Sequence, residues 1–198
     1  MDLFTTYLQV DKNENIADNI LKPCKKILSK LPYDDEKYEN GKTSYMYSNS
    51  LGGGSSYYRQ AFQPLYNLII LNAYRYCDYV RVKRENLKIN INNIWVSEMN
   101  KNGSHGMHTH PGNCQLSGTF YVHVETNSSD IVLCRHECLG DPMNNIQFEE
   151  YDNYNSNEWY VPVEKGKLLI WKSDLPHYVK SNDSNSRIAI SFNLNISQ

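Results

Sequence analysis

The feature that most limits this chain is a change of period. Up to about Arg84 apolar residues recur every three or four positions, and beyond it every second position. A helix returns a side chain to the same face after 3.6 residues and a strand after two, so the chain reads as helices first and strands after. Residues 14–31 set Ile16, Ile20, Leu21, Ile27 and Leu28 near a helical repeat, with a break or kink expected at Pro23. Residues 33–56 are loop-like and run into Gly52-Gly53-Gly54. A longer helix is expected over about 57–80, striped by Ala61, Leu65, Leu68, Ile69, Asn72 and Tyr76. Strands are then expected at 87–97, 107–110, 117–125, 130–135, 158–163, 167–172, 176–181 and 186–196. Turn-rich segments such as Asn102-Gly103, Pro111-Gly112-Asn113 and Asn127-Ser128-Ser129 separate them. The expectation is one mostly β (α+β) domain over 1–198. Residues 1–84 form a helical supporting region, and 85–198 form a barrel or jelly-roll core with helices on one face.

Two strands say which face does what. In the last, Ile188, Ile190, Phe192 and Leu194 alternate with Arg187, Ala189, Ser191 and Asn193. In 117–125, Phe120, Val122 and Val124 alternate with Ser117, Thr119, Tyr121 and His123. If the striped helix covers the apolar faces, the polar faces line the barrel mouth.

Composition narrows the function classes. The 198 residues carry 20 Lys plus Arg against 22 Asp plus Glu, which disfavours a polyanion binder and hence a nucleic-acid partner. The cluster Arg81, Lys83, Arg84 and Lys88 reads as a solvated helix end. No apolar run is long enough for a membrane helix, the first residues lack a secretory pattern, and the scattered Cys fit a reducing compartment, so a cytoplasmic location, or a host cytoplasm for a viral chain, is expected. Five scattered Cys do not make a disulfide framework. Cys134-Arg135-His136-Glu137-Cys138 lacks the second ligand pair of a zinc finger. The triple glycine has no Lys-Ser/Thr after it and reads as a loop.

The chemistry gathers around histidine. Three of six His fall in Gly103-Ser104-His105-Gly106-Met107-His108-Thr109-His110-Pro111. On a strand His108 and His110 share a face at about 7 Å between Cα atoms, which suits two ligands of one ion. The glycines around His105 suggest a turn there. A third His, His177, follows the apolar strand of Gly166-Lys167-Leu168-Leu169-Ile170-Trp171-Lys172-Ser173-Asp174-Leu175-Pro176, and Arg187 lies on the polar face of the last strand. Three facial His leave coordination positions open, and a fixed Arg suits bidentate capture of a carboxylate.

These segments resemble the 2-oxoglutarate/Fe(II)-dependent oxygenase superfamily. The likeness is to a branch found in bacteria and marine phages. It rests on Ile94-Trp95-Val96, Gly103, His108-Thr109-His110-Pro111, Leu116-Ser117-Gly118-Thr119-Phe120-Tyr121-Val122, Gly166 to His177, and Arg187 to Asn193. The resemblance implies a double-stranded β-helix. It implies Fe(II) held by His108 and His177, with His110 where the family usually has a carboxylate. Arg187 would take the distal carboxylate of 2-oxoglutarate, and Tyr121, Ser191 and Asn193 would complete that pocket. The implied reaction couples O2 and oxidative decarboxylation of the cosubstrate, to succinate and CO2, with hydroxylation of a small molecule or a protein side chain. Lys172 and Ser97 depart from the branch pattern, away from the metal.

Two other readings stay open at this point. A cupin-type metalloenzyme would use the same barrel, with Gln115 near its Glu position and Cys114 as an additional candidate ligand. A jelly-roll binding module would not need the three His to converge. His123 reads as structural. Residues 140–157 read as an insertion or lid, and with Tyr45, Tyr47, Tyr57 and Tyr58 of the 45–58 loop they are candidate substrate walls.

Overall fold

A computed structural model describes residues 5–33, 39–45, 56–110, 112–136, 146–152 and 154–198. The triple glycine, Tyr47, Pro111, Cys138 and the first part of the 140–157 segment lie outside the described residues, as do the side chains of Tyr57 and Tyr58. The elements run β1 (Gln9–Lys12), α1 (Glu14–Leu28), β2 (Glu39–Thr43), α2 (Ser56–Tyr79), β3 (Lys88–His108), β4 (Leu116–Val124), β5 (Ile131–Cys134), β6 (Glu158–Val161), β7 (Lys167–Lys172), β8 (His177–Val179) and β9 (Arg187–Ser197).

Both expected helices form. Asn13 caps α1 by accepting the Ile16 N–H at 3.0 Å, with Glu14 in the first turn and Lys25 and Lys26 in the last, which complements the helix dipole. Pro23 neither breaks nor ends it. The ring is buried, while Asn19, whose carbonyl loses its partner, sits on the exposed side where water can replace that partner. On α2 the buried stripe is Phe62, Leu65, Ile69, Asn72, Ala73, Tyr76 and Cys77, while Ala61 and Leu68 are half-buried.

The strands make one antiparallel sheet in the order β1-β7-β4-β9-β3-β8-β5-β6, with β2 also on β3. It curls because β3 serves two partners in turn: residues from Lys88 to Met99 pair with β9, and His105 and His108 pair with β8. Across the central strands the register fixes two sets of rows. One runs Ile94–Phe192–Gly118–Ile170 and Val96–Ile190–Phe120–Leu168. These residues form a core with α1 and α2. The alternate set runs Asn93–Asn193–Ser117–Trp171, Trp95–Ser191–Thr119–Leu169 and Ser97–Ala189–Tyr121, and faces the inside of the curl. The polar-inward reading therefore holds for β9 and for β4 as far as Tyr121; a register shift after Tyr121 sets His123 opposite Ile188 and Val124 opposite Arg187, so Val124, not His123, packs with the inner cluster.

Three expectations are corrected. The first 84 residues are not wholly helical, because β1 extends the sheet beside β7 and β2 pairs with β3. Asn102-Gly103 is not a turn between strands but a kink inside β3. Asn102 takes a positive φ of 64°, and Asn182 holds the kinked backbone by accepting from the Asn102 N–H and donating to Gly103 O. The strand expected at 107–110 is the end of this one, and it stops at His108.

Candidate metal centre and adjoining cavities

His108 and His177 are cross-strand partners, the last residue of β3 and the first of β8. Their imidazoles meet for that reason, with ring centroids 4.2 Å apart. His110 lies two residues past the end of β3, so its place is set by a loop and not by strand alternation. Its N–H donates to Ser173 O at 2.9 Å, and Ser173 Oγ donates to Cys114 O at 2.6 Å, which ties the loop to the end of β7. His110 Nε2 then stands 3.2 Å from His177 Nε2. One ring nitrogen from each of the three His lies within 4.8 Å of the others.

Second contacts fix which nitrogen is offered. His108 Nδ1 bonds Gly106 O at 2.8 Å and His177 Nδ1 bonds Leu175 O at 2.9 Å. A carbonyl requires a donor there, so the proton sits on Nδ1 and the Nε2 lone pair is free. Burial lowers all three pKa values. His110 falls to about 4 and His177 to about 3, with further lowering of both by the charge of His108. At neutral pH the cluster is therefore three uncharged nitrogen donors, which suits a borderline divalent ion such as Fe(II).

Arg187 opens into the same cavity, a narrow one of about 50 Å³ that also meets Tyr121, Ser191, Trp95, Trp171 and all three His. Its guanidinium lies over the Tyr121 ring at 4.9 Å and donates to the phenol oxygen at 3.3 Å. Burial raises the Tyr121 pKa, which keeps the phenol protonated. Arg187 is 6% exposed, and its Nε has no partner. A buried cation with an unused donor and no ion pair among the described residues is the electrostatic complement of a carboxylate.

Other expected residues sort as follows. Asn193 accepts from Ser117 Oγ at 2.8 Å and lines a second cavity, which His110 also lines. His123 is paired to Glu125 at 3.6 Å. Gln115 is exposed and its Oε1 accepts the Ile196 N–H, so the cupin ligand position does not reach the His cluster. Cys114 donates its thiol to His110 O and lies outside the cluster. Three aromatic residues of the cavity were missed as site residues. His105 lies within β3, its ring 4.0 Å from that of His108, and the Asn182 contacts hold the strand at Asn102 and Gly103 just before it. Trp95 sits 5.9 Å from His110 and Trp171 5.0 Å from His177, ring to ring. Trp95 stands beside Ser191 through the β3–β9 register, which alternation within either strand does not reveal.

Comparison with known proteins agrees with this geometry. Residues 93–193 match a family model described as "Putative 2OG-Fe(II) oxygenase". No curated protein matches. Among solved structures, the chain is similar to a prolyl hydroxylase from Trichoplax adhaerens in complex with a hypoxia inducible factor oxygen degradation domain peptide fragment. The identity is 14% and the TM-score 0.64, covering 95% of this chain and 83% of that one. It is also similar to a Pseudomonas putida prolyl-4-hydroxylase, at 10% identity and TM-score 0.61, covering 98% and 95%. HygX from Streptomyces hygroscopicus, with nickel, 2-oxoglutarate and hygromycin B bound, gives 12% identity and TM-score 0.56, covering 96% and 83%. These likenesses place the curled sheet among double-stranded β-helix folds.

Proposed function

The chain belongs to the 2-oxoglutarate/Fe(II) oxygenase family, and from that premise we propose that it is a hydroxylase acting on a small molecule or a protein side chain. In this reading His108, His110 and His177 hold the iron, and Arg187 takes the distal carboxylate of 2-oxoglutarate. Together Fe(II) and 2-oxoglutarate supply O2-dependent oxidation coupled to loss of CO2 from the cosubstrate. The chain's own part is placement. The Gly106 and Leu175 carbonyls keep the Nε2 lone pairs of His108 and His177 free. Tyr121 steadies the Arg187 guanidinium, Ser191 adds a hydroxyl to that cavity, and the Trp95 and Trp171 rings limit the water around the metal position. Asn193 lines the second cavity, which His110 also lines.

The observation that carries the reading is one cavity holding both a cluster of three neutral imidazoles and a buried guanidinium without a carboxylate. Anaerobic addition of Fe(II) and then 2-oxoglutarate should give a visible metal-to-ligand charge-transfer band. His177→Ala should abolish it. Arg187→Ala should raise the 2-oxoglutarate concentration needed for half the band by about 30-fold or more, since a lost buried charge partner costs roughly 2–5 kcal/mol. Iron binding with no band in the unaltered protein would refute the cosubstrate assignment.

A further inference from the structure

His110 lines two cavities. Beyond the narrow one with Arg187 is a second of about 490 Å³, lined by Asn92, Asn93, Asn113, Asn193, Thr109 and Tyr45, with Cys114 at its wall. Its volume falls within the roughly 300–1,000 Å³ usual for small-ligand sites, whereas the Arg187 cavity is far smaller. No Lys, Arg, Asp or Glu lines it among the described residues.

Its carboxamides are set up to bind. Asn193 is 5% exposed, and Ser117 Oγ engages its Oδ1, so Nδ2 is the group left for the cavity. Asn93 is the cross-strand partner of Asn193 and stands on the same face; its carboxamide is exposed and makes no hydrogen bond among the described residues. A bulge between Ile91 and Asn93 inserts Asn92, whose Nδ2 donates to Asn113 O at 2.9 Å. Asn195 Nδ2 donates to the same oxygen at 3.0 Å, so the loop carrying Asn113 is held from two strands.

We propose that this second cavity binds the substrate through uncharged amide groups, and that the substrate class is a peptide-like segment. A carboxamide offers a donor and an acceptor side by side, matching the N–H and C=O of a peptide unit. A charged group entering here would lose water without gaining a counter-charge. Polyol recognition draws its strongest bonds from ionised acceptors, which this wall lacks. The inference rests on the oxygenase reading for its reason to seek a second molecule beside the His cluster, but its test needs no turnover.

The test follows Asn side-chain amide signals by NMR, in the metal-free chain and in the chain loaded with Zn(II) and 2-oxoglutarate. Three probes are titrated: N-acetylglycine N-methylamide, methyl β-glucoside and N-acetylglutamate. The diamide is expected to shift the Asn93, Asn113 and Asn193 signals saturably and more strongly than the other two. Asn93→Ala, which removes an exposed and unpaired side chain, should weaken that binding about five-fold, as one lost hydrogen bond predicts. Equal or tighter binding of the glucoside or the glutamate overturns the substrate class. Absence of a saturable diamide shift at these signals overturns the site. A diamide shift without a charge-transfer band sinks the oxygenase reading alone, and a band without the shift sinks this inference alone.

Discussion

At the scale of single residues, the centre departs from the usual two imidazoles and a carboxylate by offering three imidazoles. Neutral His110 leaves the site one unit more positive than an aspartate would. His110→Asp is therefore expected to keep Fe(II) binding and to weaken the hold on anionic 2-oxoglutarate, read as a larger half-saturating concentration for the charge-transfer band. Arg187→Lys tests the fork itself. A lysine keeps the charge but has neither the planar donors nor the stacking on Tyr121. Iron binding should be unchanged while cosubstrate affinity falls by roughly ten-fold, equivalent to about 1.4 kcal/mol. Much of this was legible in the sequence, because alternation puts Arg187 and Ser191 on one face whatever the fold's details. The position of His110 was not. It depends on Ser173 accepting its N–H from across the loop, a contact between residues far apart in the chain.

At the scale of elements, Gly118 shows how tightly β4, β7 and β9 are joined. A Cβ there would lie within 3 Å of the Phe192 ring and of Leu169 O. Gly118→Ala should destabilise by about 1–3 kcal/mol, the usual cost of overpacking, measurable as a lower urea midpoint. Around β1, Glu164 meets Lys12 and Lys167. Lys167 and then Lys12 pull its carboxyl from the ordinary 4.5 to about 2. A depressed carboxylate stabilises the fold above its unfolded value and loses that effect as pH falls through the folded one. The melting difference between the natural chain and Glu164→Gln should thus be present at pH 6 and fade between about pH 4.5 and 2. Because the group is exposed, the difference should be small and shrink in high salt. β1 itself was missed in the sequence for a physical reason. Its Gln9 and Asp11 point at α2, where Asn72 donates to Asp11 and accepts from Gln9. A strand that buries polar groups against a helix shows no apolar alternation.

At the scale of the molecule, the His cluster joins β3, the following loop and β8, so metal should stabilise the whole fold. With free Fe(II) or Zn(II) at 100 times its dissociation constant, the gain is about 2.7 kcal/mol, a rise in Tm of roughly 5–10 °C for a chain of this size. EDTA should reverse it, and His177→Ala should show no such rise. The change of period at residue 84 was enough to announce helices packed on a curled sheet. It could not announce that β3 would be shared, since the bend depends on Asn182 holding Asn102 and Gly103. The two sets of rows across β3, β9, β4 and β7 carry a last consequence. Alternate residues of the same strands answer to different demands: Phe192 and Ile190 to the packed helices, Asn193 and Ser191 to whatever enters the curl. Descent with modification can therefore alter inward letters such as Asn93 and Asn193, changing what the molecule works on, while the letters between them keep the helices packed on the sheet.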